Sequence, residues 1–122
     1  MDNILKLIVL NWIPSQSKVI DFGCGDGALL KILSEQKSII GYGVENDPDK
    51  INACIINGVS VIQQDIDAGI HNYKGMGFDV AVMASSIQCL RKPRDAMKNI
   101  LNVANECVIT LPNFGNWELR LG

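Results

Sequence analysis

The chain has a single histidine, His71, and no two of its cysteines (Cys24, Cys54, Cys89 and Cys107) stand at the spacing of a metal-chelating pair. Structural zinc centres draw on closely spaced Cys and His ligands, so none is expected here. A basic excess is also lacking. Eleven Lys and Arg stand against 13 Asp and Glu, giving a net charge of -2, whereas a protein that follows a nucleic-acid backbone needs the opposite balance. The one cationic cluster, Arg91, Lys92 and Arg94, reads as a solvated loop leading into a helix. No apolar run approaches the roughly 20 residues that span a bilayer, and the N-terminus has no secretory-signal pattern. A reduced, cytoplasmic protein with neither nucleic acid nor membrane as partner is therefore expected.

What is present suits a globular fold. Hydrophobic residues make up 48% and charged residues 20% of 122 positions, the balance of a chain that can bury a core. That length predicts one domain over residues 1–122, burying roughly two-thirds of its unfolded surface.

Ile4, Leu5, Ile8 and Trp12 recur at helical spacing and predict a helix over 3–12, ended by Pro14. Lys18 to Phe22 is a short apolar run stopping at a glycine cluster, and reads as a buried strand. Leu29, Leu30, Ile32 and Leu33 predict a helix, and residues 39–45 a second strand. Asp47 before Pro48 is an N-cap signal, and Asn57-Gly58 a stop. A third strand follows at Val59, Val61 and Ile62, ending at Asp65, and then a loop rich in Gly and Asp. Residues 78–83 read as a fourth strand and 107–111 as a fifth, with a helix between them on Met97, Ile100, Leu101 and Ala104. Apolar strands alternating with helices predict an α/β fold, a doubly wound parallel sheet covered on both faces. Ligands of such sheets bind beyond the carboxyl ends of the strands, so chemistry is sought there.

Asp21-Phe22-Gly23-Cys24-Gly25-Asp26-Gly27 follows the first strand. Alternate glycines let the chain turn sharply and let a ligand approach the backbone, and the next helix aims its free N–H groups at the same space. Gly23, Gly25 and Ala28 also satisfy the dinucleotide pattern, so a nicotinamide dinucleotide competes as ligand. Charge argues against it. A pyrophosphate would lie beside Asp21 and Asp26 with no Lys or Arg in the turn, a repulsion that grows in a partly buried cleft. S-adenosylmethionine presents a sulfonium and an ammonium instead, and Asp21 suits the ammonium. Glu45, beside Asn46 at the end of the second strand, can accept both hydroxyls of a ribose. Asp65 can accept from an adenine amine while Ile66 packs on the ring.

The plainer readings are turn chemistry for Asp65 and Asp67, a helix cap for Asp47, a solvated loop for His71, and a small packed side chain rather than a nucleophile for Cys24. The candidate ligand set is Asp21, Gly23, Cys24, Gly25, Gly27, Glu45, Asn46, Asp65 and Ile66.

The run from Val19 to Gly27 resembles the first motif of Rossmann-like, class I S-adenosylmethionine-dependent methyltransferases. Gly41 to Glu45, Gly58 to Gly69, Phe78-Asp79 and Leu111 to Trp117 bring the chain closer still to the methionine biosynthesis protein MetW family. That resemblance implies S-adenosylmethionine or S-adenosylhomocysteine as cofactor, with Asp21, Gly23, Gly25, Glu45 and Asp65 at matching positions. It also implies a role in methionine synthesis with homoserine O-acyltransferase as partner. A complete fold of that class has seven strands, the last two an antiparallel hairpin. This chain ends eleven residues past Leu111, so a C-terminally truncated domain lacking the hairpin is expected. An open edge on the fifth strand would then favour a homodimer.

Two functions fit. One is methyl transfer to an unidentified small acceptor, for which Ser85, Ser86, Gln88 and Asn113 are the nearest polar candidates. They equally read as helix caps, and no general base is evident, so no catalytic residue is assigned. The other is a module that senses the adenosyl ligand and acts through the partner enzyme.

Overall fold

The computed structural model describes residues 9–84, 90–111 and 117–121, with residues 110–111 and 117–121 described by backbone alone. Ser85, Ser86, Gln88 and Asn113, the acceptor-site candidates, lie outside the described residues, as does the first part of the predicted N-terminal helix.

Among the described residues six strands form one sheet in the order β3-β2-β1-β4-β5-β6. They are β1 (Lys18–Phe22), β2 (Ile40–Glu45), β3 (Val61–Gln63), β4 (Phe78–Met83), β5 (Ala104–Leu111) and β6 (Trp117–Leu121). The first five run parallel. The helical segments are α1 (9–12), α2 (Ala28–Lys37), α3 (Pro48–Ile56), α4 (Ile66–Gly69) with a 3₁₀ turn (Ile70–Tyr73), and α5 (Pro93–Ile100). No helix among the described residues is long and apolar enough to cross a membrane.

Alternate strand side chains feed two cores, as a sheet covered on both faces requires. Val19, Val80, Val82 and Val108 pack under Val9 of α1, Ile13 just after it, Leu30 and Leu33 of α2, and Cys54 of α3. Ile20, Phe22, Ala81, Met83 and Ile109 pack against Ile70, Tyr73, Ala96 and Ile100, from the 3₁₀ turn and α5. The doubly wound α/β expectation therefore holds.

Four local expectations change, the first at β3, which covers only Val61–Gln63 and so neither includes Val59 nor reaches Asp65. The Gly- and Asp-rich loop contains α4 and a 3₁₀ turn, started by Asp65, whose side chain accepts from the amide of Asp67. Helix α5 stops at Ile100, and Ala104 opens β5, because Ala104 takes its place beside Phe78 in the parallel ladder. Finally, the outer edge of β5 is not open. Strand β6 pairs with it antiparallel, Cys107 opposite Leu121 and Leu111 opposite Trp117. An antiparallel C-terminal strand was not expected from the sequence, and its presence removes the open β5 edge that argued for a homodimer.

Candidate functional site

The strand order 3-2-1 sets the carboxyl ends of β3, β2 and β1 side by side, with Asp21 opposite Gly43 and Glu45 opposite Gln63. From β1 the chain enters a turn in which Gly23, Gly25 and Gly27 have φ of 76, 61 and 81°. These are left-handed conformations that glycine adopts without a Cβ penalty. The amides of Gly23 and Cys24 reach back to the carbonyl of Val44 at 2.8 and 3.2 Å. The turn is thus stitched to the end of β2.

Glu45 completes that attachment. Its Oε1 accepts from the Gly25 amide at 2.9 Å, and Oε2 accepts from the amides of Asn46 and Asp47 at 3.0 and 3.1 Å. A carboxylate has about four acceptor sites, so room remains on it for a ligand hydroxyl. A Cβ placed at Gly25 would meet nothing within 4 Å, leaving open space above the turn.

Asp21 lies beneath. It is buried, and among the described residues its Oδ1 has no hydrogen-bond partner. Burial, and secondarily the charge of Glu45, push its carboxyl up to about 8. A buried, unpartnered carboxyl oxygen is costly, and a hydrogen-bond donor, more strongly one that carries positive charge, would relieve it.

Asp65 is engaged differently. Its Oδ1 accepts the amide of Asp67 at 3.0 Å as the cap of α4, while Oδ2 faces Arg91 Nη2 at 3.8 Å across an exposed ion pair. The turn-chemistry reading of Asp65 is therefore correct as far as Oδ1 goes. Ile66 is half-buried against the core. Gln64, just before, accepts from the Tyr73 hydroxyl and fills the space left by Gly69.

The sheet therefore brings Asp21, Gly25 and Glu45 together, with Gly23, Cys24, Gly27 and Asn46 along the same turn and strand end. Asp47 caps α3 through the Asp49 amide at 2.9 Å, and His71 is exposed.

Sequence reasoning missed three participants. Cys54 of α3 donates its thiol to the Gly25 carbonyl at 3.0 Å and touches Cys24. Asn57 holds the Asp26 carbonyl at 3.0 Å. Arg91 donates its amide to Asp67 at 3.0 Å and its Nε at 3.4 Å, although its cluster read as merely solvated. None of the three is marked by local spacing, because each partner is 24 or more residues away.

A groove lined by Leu30, Ser34, Ile40, Gly41, Asn57 and Gly58 lies at the opposite end of β2 from Glu45 and includes none of the expected ligand residues. Among the described residues no group of three or more His, Cys, Asp or Glu is arranged to hold a metal.

Known proteins share this frame. A TehB-like SAM-dependent methyltransferase from Corynebacterium glutamicum superposes with a TM-score of 0.73 at 21% identity, covering 88% of this chain and 61% of that one. The [4+2]-cyclase SpnF superposes with a TM-score of 0.76 at 19% identity, covering 88% of this chain and 43% of that one. At these identities the likeness establishes the class I methyltransferase fold, and the cyclase is a reminder that the fold hosts more than one chemistry. In sequence, the bifunctional methionine biosynthesis protein MetXA/MetW of Rhodopirellula baltica is 27% identical over 126 residues, covering 97% of this chain. This chain spans only 20% of that protein's length. The model of the methionine biosynthesis protein MetW family matches residues 5–122. With nearly every residue inside that match, the chain belongs to the MetW family of methionine biosynthesis proteins.

Proposed function

We propose that the chain binds S-adenosylmethionine or S-adenosylhomocysteine at the carboxyl ends of β1, β2 and β3, and acts in methionine biosynthesis through homoserine O-acyltransferase. The observation that carries the reading is the buried Oδ1 of Asp21, unpartnered among the described residues beneath an open glycine turn. An amino-acid ammonium supplies the charge and donors that this oxygen lacks. Glu45, fixed by three backbone amides, is oriented to accept ribose hydroxyls with no reorganisation of its own. Asp65 and Ile66 flank the adenine. The cofactor, when bound, supplies an electrophilic methyl group; the chain's own groups hold it and orient it.

A dinucleotide fits less well. Its pyrophosphate would face Asp21, Asp26 and Glu45 with no cation in the turn. The partnership rests on the family and on the relative whose name joins MetXA to MetW in one chain.

The test is calorimetric titration with S-adenosylmethionine and S-adenosylhomocysteine, with NADH as control. Heat from either adenosyl ligand and none from NADH is expected, and binding of NADH alone would refute the pocket. Methyl transfer to candidate acceptors, assayed with and without the acyltransferase, then separates module from enzyme. Turnover without the partner contradicts action through it.

A further inference from the structure

Cys24 and Cys54 lie 30 residues apart in sequence, one in the glycine turn and one on α3, yet their sulfurs are 3.7 Å apart. Both side chains are buried. Two glycines clear the space they occupy. A Cβ at Gly43 would overlap the Cys24 sulfur and stand 2.9 Å from its Cβ, and a Cβ at Gly27 would stand 3.2 Å from the Cys54 sulfur. Cys54 Sγ–H also donates to the Gly25 carbonyl at 3.0 Å. The amide of that same residue is held by Glu45. The thiol pair is thus built into the attachment of the ligand turn.

We propose that Cys24 and Cys54 are a redox modification site, joined as a disulfide by hydroperoxide, and that the bond locks the glycine turn in a form with weak affinity for the adenosyl ligand. The second half rests on the ligand reading above; the first does not. A disulfide is about 2.05 Å long, so the sulfurs must approach by roughly 1.7 Å. The turn can supply that movement, because Gly23, Gly25 and Gly27 carry its bends and the space around Gly25 is open.

The chemistry balances. The Cys24 thiolate attacks one peroxide oxygen, the O–O bond breaks, and a sulfenic acid and an alcohol or water result. The Cys54 sulfur then attacks the Cys24 sulfur, the S–O bond breaks, and water leaves. Each cysteine gives up one electron, the peroxide accepts both, and the two thiol protons leave in the products. Cys24 is oxidised first because it keeps a little exposure while Cys54 has none. Burial, then the Asp21 carboxyl, push the Cys24 thiol up, and burial does the same at Cys54. Attack therefore waits on opening of the turn. Once formed, the bond removes the thiol donor from the Gly25 carbonyl and draws the turn toward α3.

The four cysteines fall on four different tryptic peptides, Cys24 within 19–31 and Cys54 within 51–74. The experiment treats the full native chain with hydrogen peroxide and maps the peptides with and without dithiothreitol. The expected product joins 19–31 to 51–74 and is undone by the reductant. Cys54→Ser, and separately Cys24→Ala, form no such product. S-adenosylhomocysteine is then titrated into oxidised and re-reduced protein, with affinity expected to fall by about tenfold or more on oxidation and to return on reduction. Oxidation of the pair only to sulfinic acid, or joining to Cys89 or Cys107, overturns the disulfide. The expected disulfide with unchanged affinity overturns the lock. Failure of the reduced protein to bind either adenosyl ligand refutes the ligand reading and the lock with it, while the peptide map still decides the disulfide.

Discussion

The carboxylate of Glu45 accepts the amide of Gly25 at 2.9 Å, so the last residue of β2 holds the turn that leaves β1. The same side chain anchors Asn46 and Asp47. One carboxylate thereby fixes both walls of the candidate site before any ligand arrives, and this preorganisation lowers the entropy that binding must overcome.

Replacing Glu45 tests that arrangement. Glu45→Ala should weaken S-adenosylhomocysteine binding by about 1.5–3 kcal/mol, as expected when a charged acceptor is removed. Stability should fall by only about 1 kcal/mol, because water can reach the two exposed amides it leaves. Glu45→Gln keeps a carbonyl acceptor and should lie between. Titration calorimetry and thermal unfolding of the three proteins are the measurements. Unchanged affinity in a folded Glu45→Ala protein removes Glu45 from the site.

Gly43 is needed for the space that its missing Cβ leaves. A methyl there overlaps the Cys24 sulfur and stands 2.9 Å from Cys24 Cβ, and a strand paired on both sides, with β1 and β3, has little freedom to retreat. Gly43→Ala should destabilise the protein by about 1–3 kcal/mol, the usual cost of overpacking. Adding Cys24→Ala removes the sulfur but not the Cβ, so rescue should be partial. Urea midpoints of the single and double variants check this, and full stability in Gly43→Ala contradicts the packing described.

Asp21 predicts a pH dependence with a definite sign. In the unfolded chain its carboxyl ionises near 3.8, whereas in the folded chain burial, then Glu45, hold the proton up to about 8. Between those values the folded state binds the extra proton, so the contribution of Asp21 to stability falls as pH rises through that window and levels off above it. Asp21→Asn should abolish this slope, and unfolding midpoints across the window compare the two. Binding of an ammonium ionises Asp21, so at neutral pH the ligand should displace a proton into the buffer. Calorimetry in buffers of different ionisation heat detects it. Identical slopes in the wild type and Asp21→Asn would show that the buried carboxyl does not titrate in this range.

Much of this was legible in the sequence because it is local. Strands β1, β2 and β4 are short, mostly apolar stretches bounded by turn residues, and Asp47-Pro48 announces α3 with the cap that the structure contains. The strand-end placement of Asp21 and Glu45 was legible because it follows from where the apolar runs stop. Strand β6 was not, since five residues beyond a proline offer too little pattern to outweigh the expectation of a truncated hairpin. Helix α4 and the 3₁₀ turn, four residues each, are shorter than the helical period needs to declare itself. Met97, Ile100, Leu101 and Ala104 keep helical spacing past the true end of α5, because only pairing with Phe78 of β4 assigns Ala104 to a strand. The contact of Cys24 with Cys54 likewise exists only once β1 and β2 lie side by side.

Asp67 and Arg91 carry the same lesson into a last prediction. Their side chains form an ion pair at 3.4 Å, but Arg91 is 78% exposed, and an exposed pair contributes roughly 0–1 kcal/mol after screening. Asp67 has a second role. Its Oδ1 accepts the backbone amide of Arg91 at 3.0 Å, and its side chain is only 14% exposed. Arg91→Ala removes the guanidinium and keeps that amide bond, so stability and ligand affinity should stay nearly unchanged. Asp67→Ala removes the acceptor for both and should lower stability by about 1–2 kcal/mol. It also frees the turn that carries Asp65 and Ile66, so adenosyl-ligand affinity should fall with it. Unfolding in urea at low and at high salt separates the two roles, because the ion pair is screened and the amide bond is not. Equal losses in the two variants, both abolished by salt, would assign the link to charge alone and leave the amide bond without measurable weight.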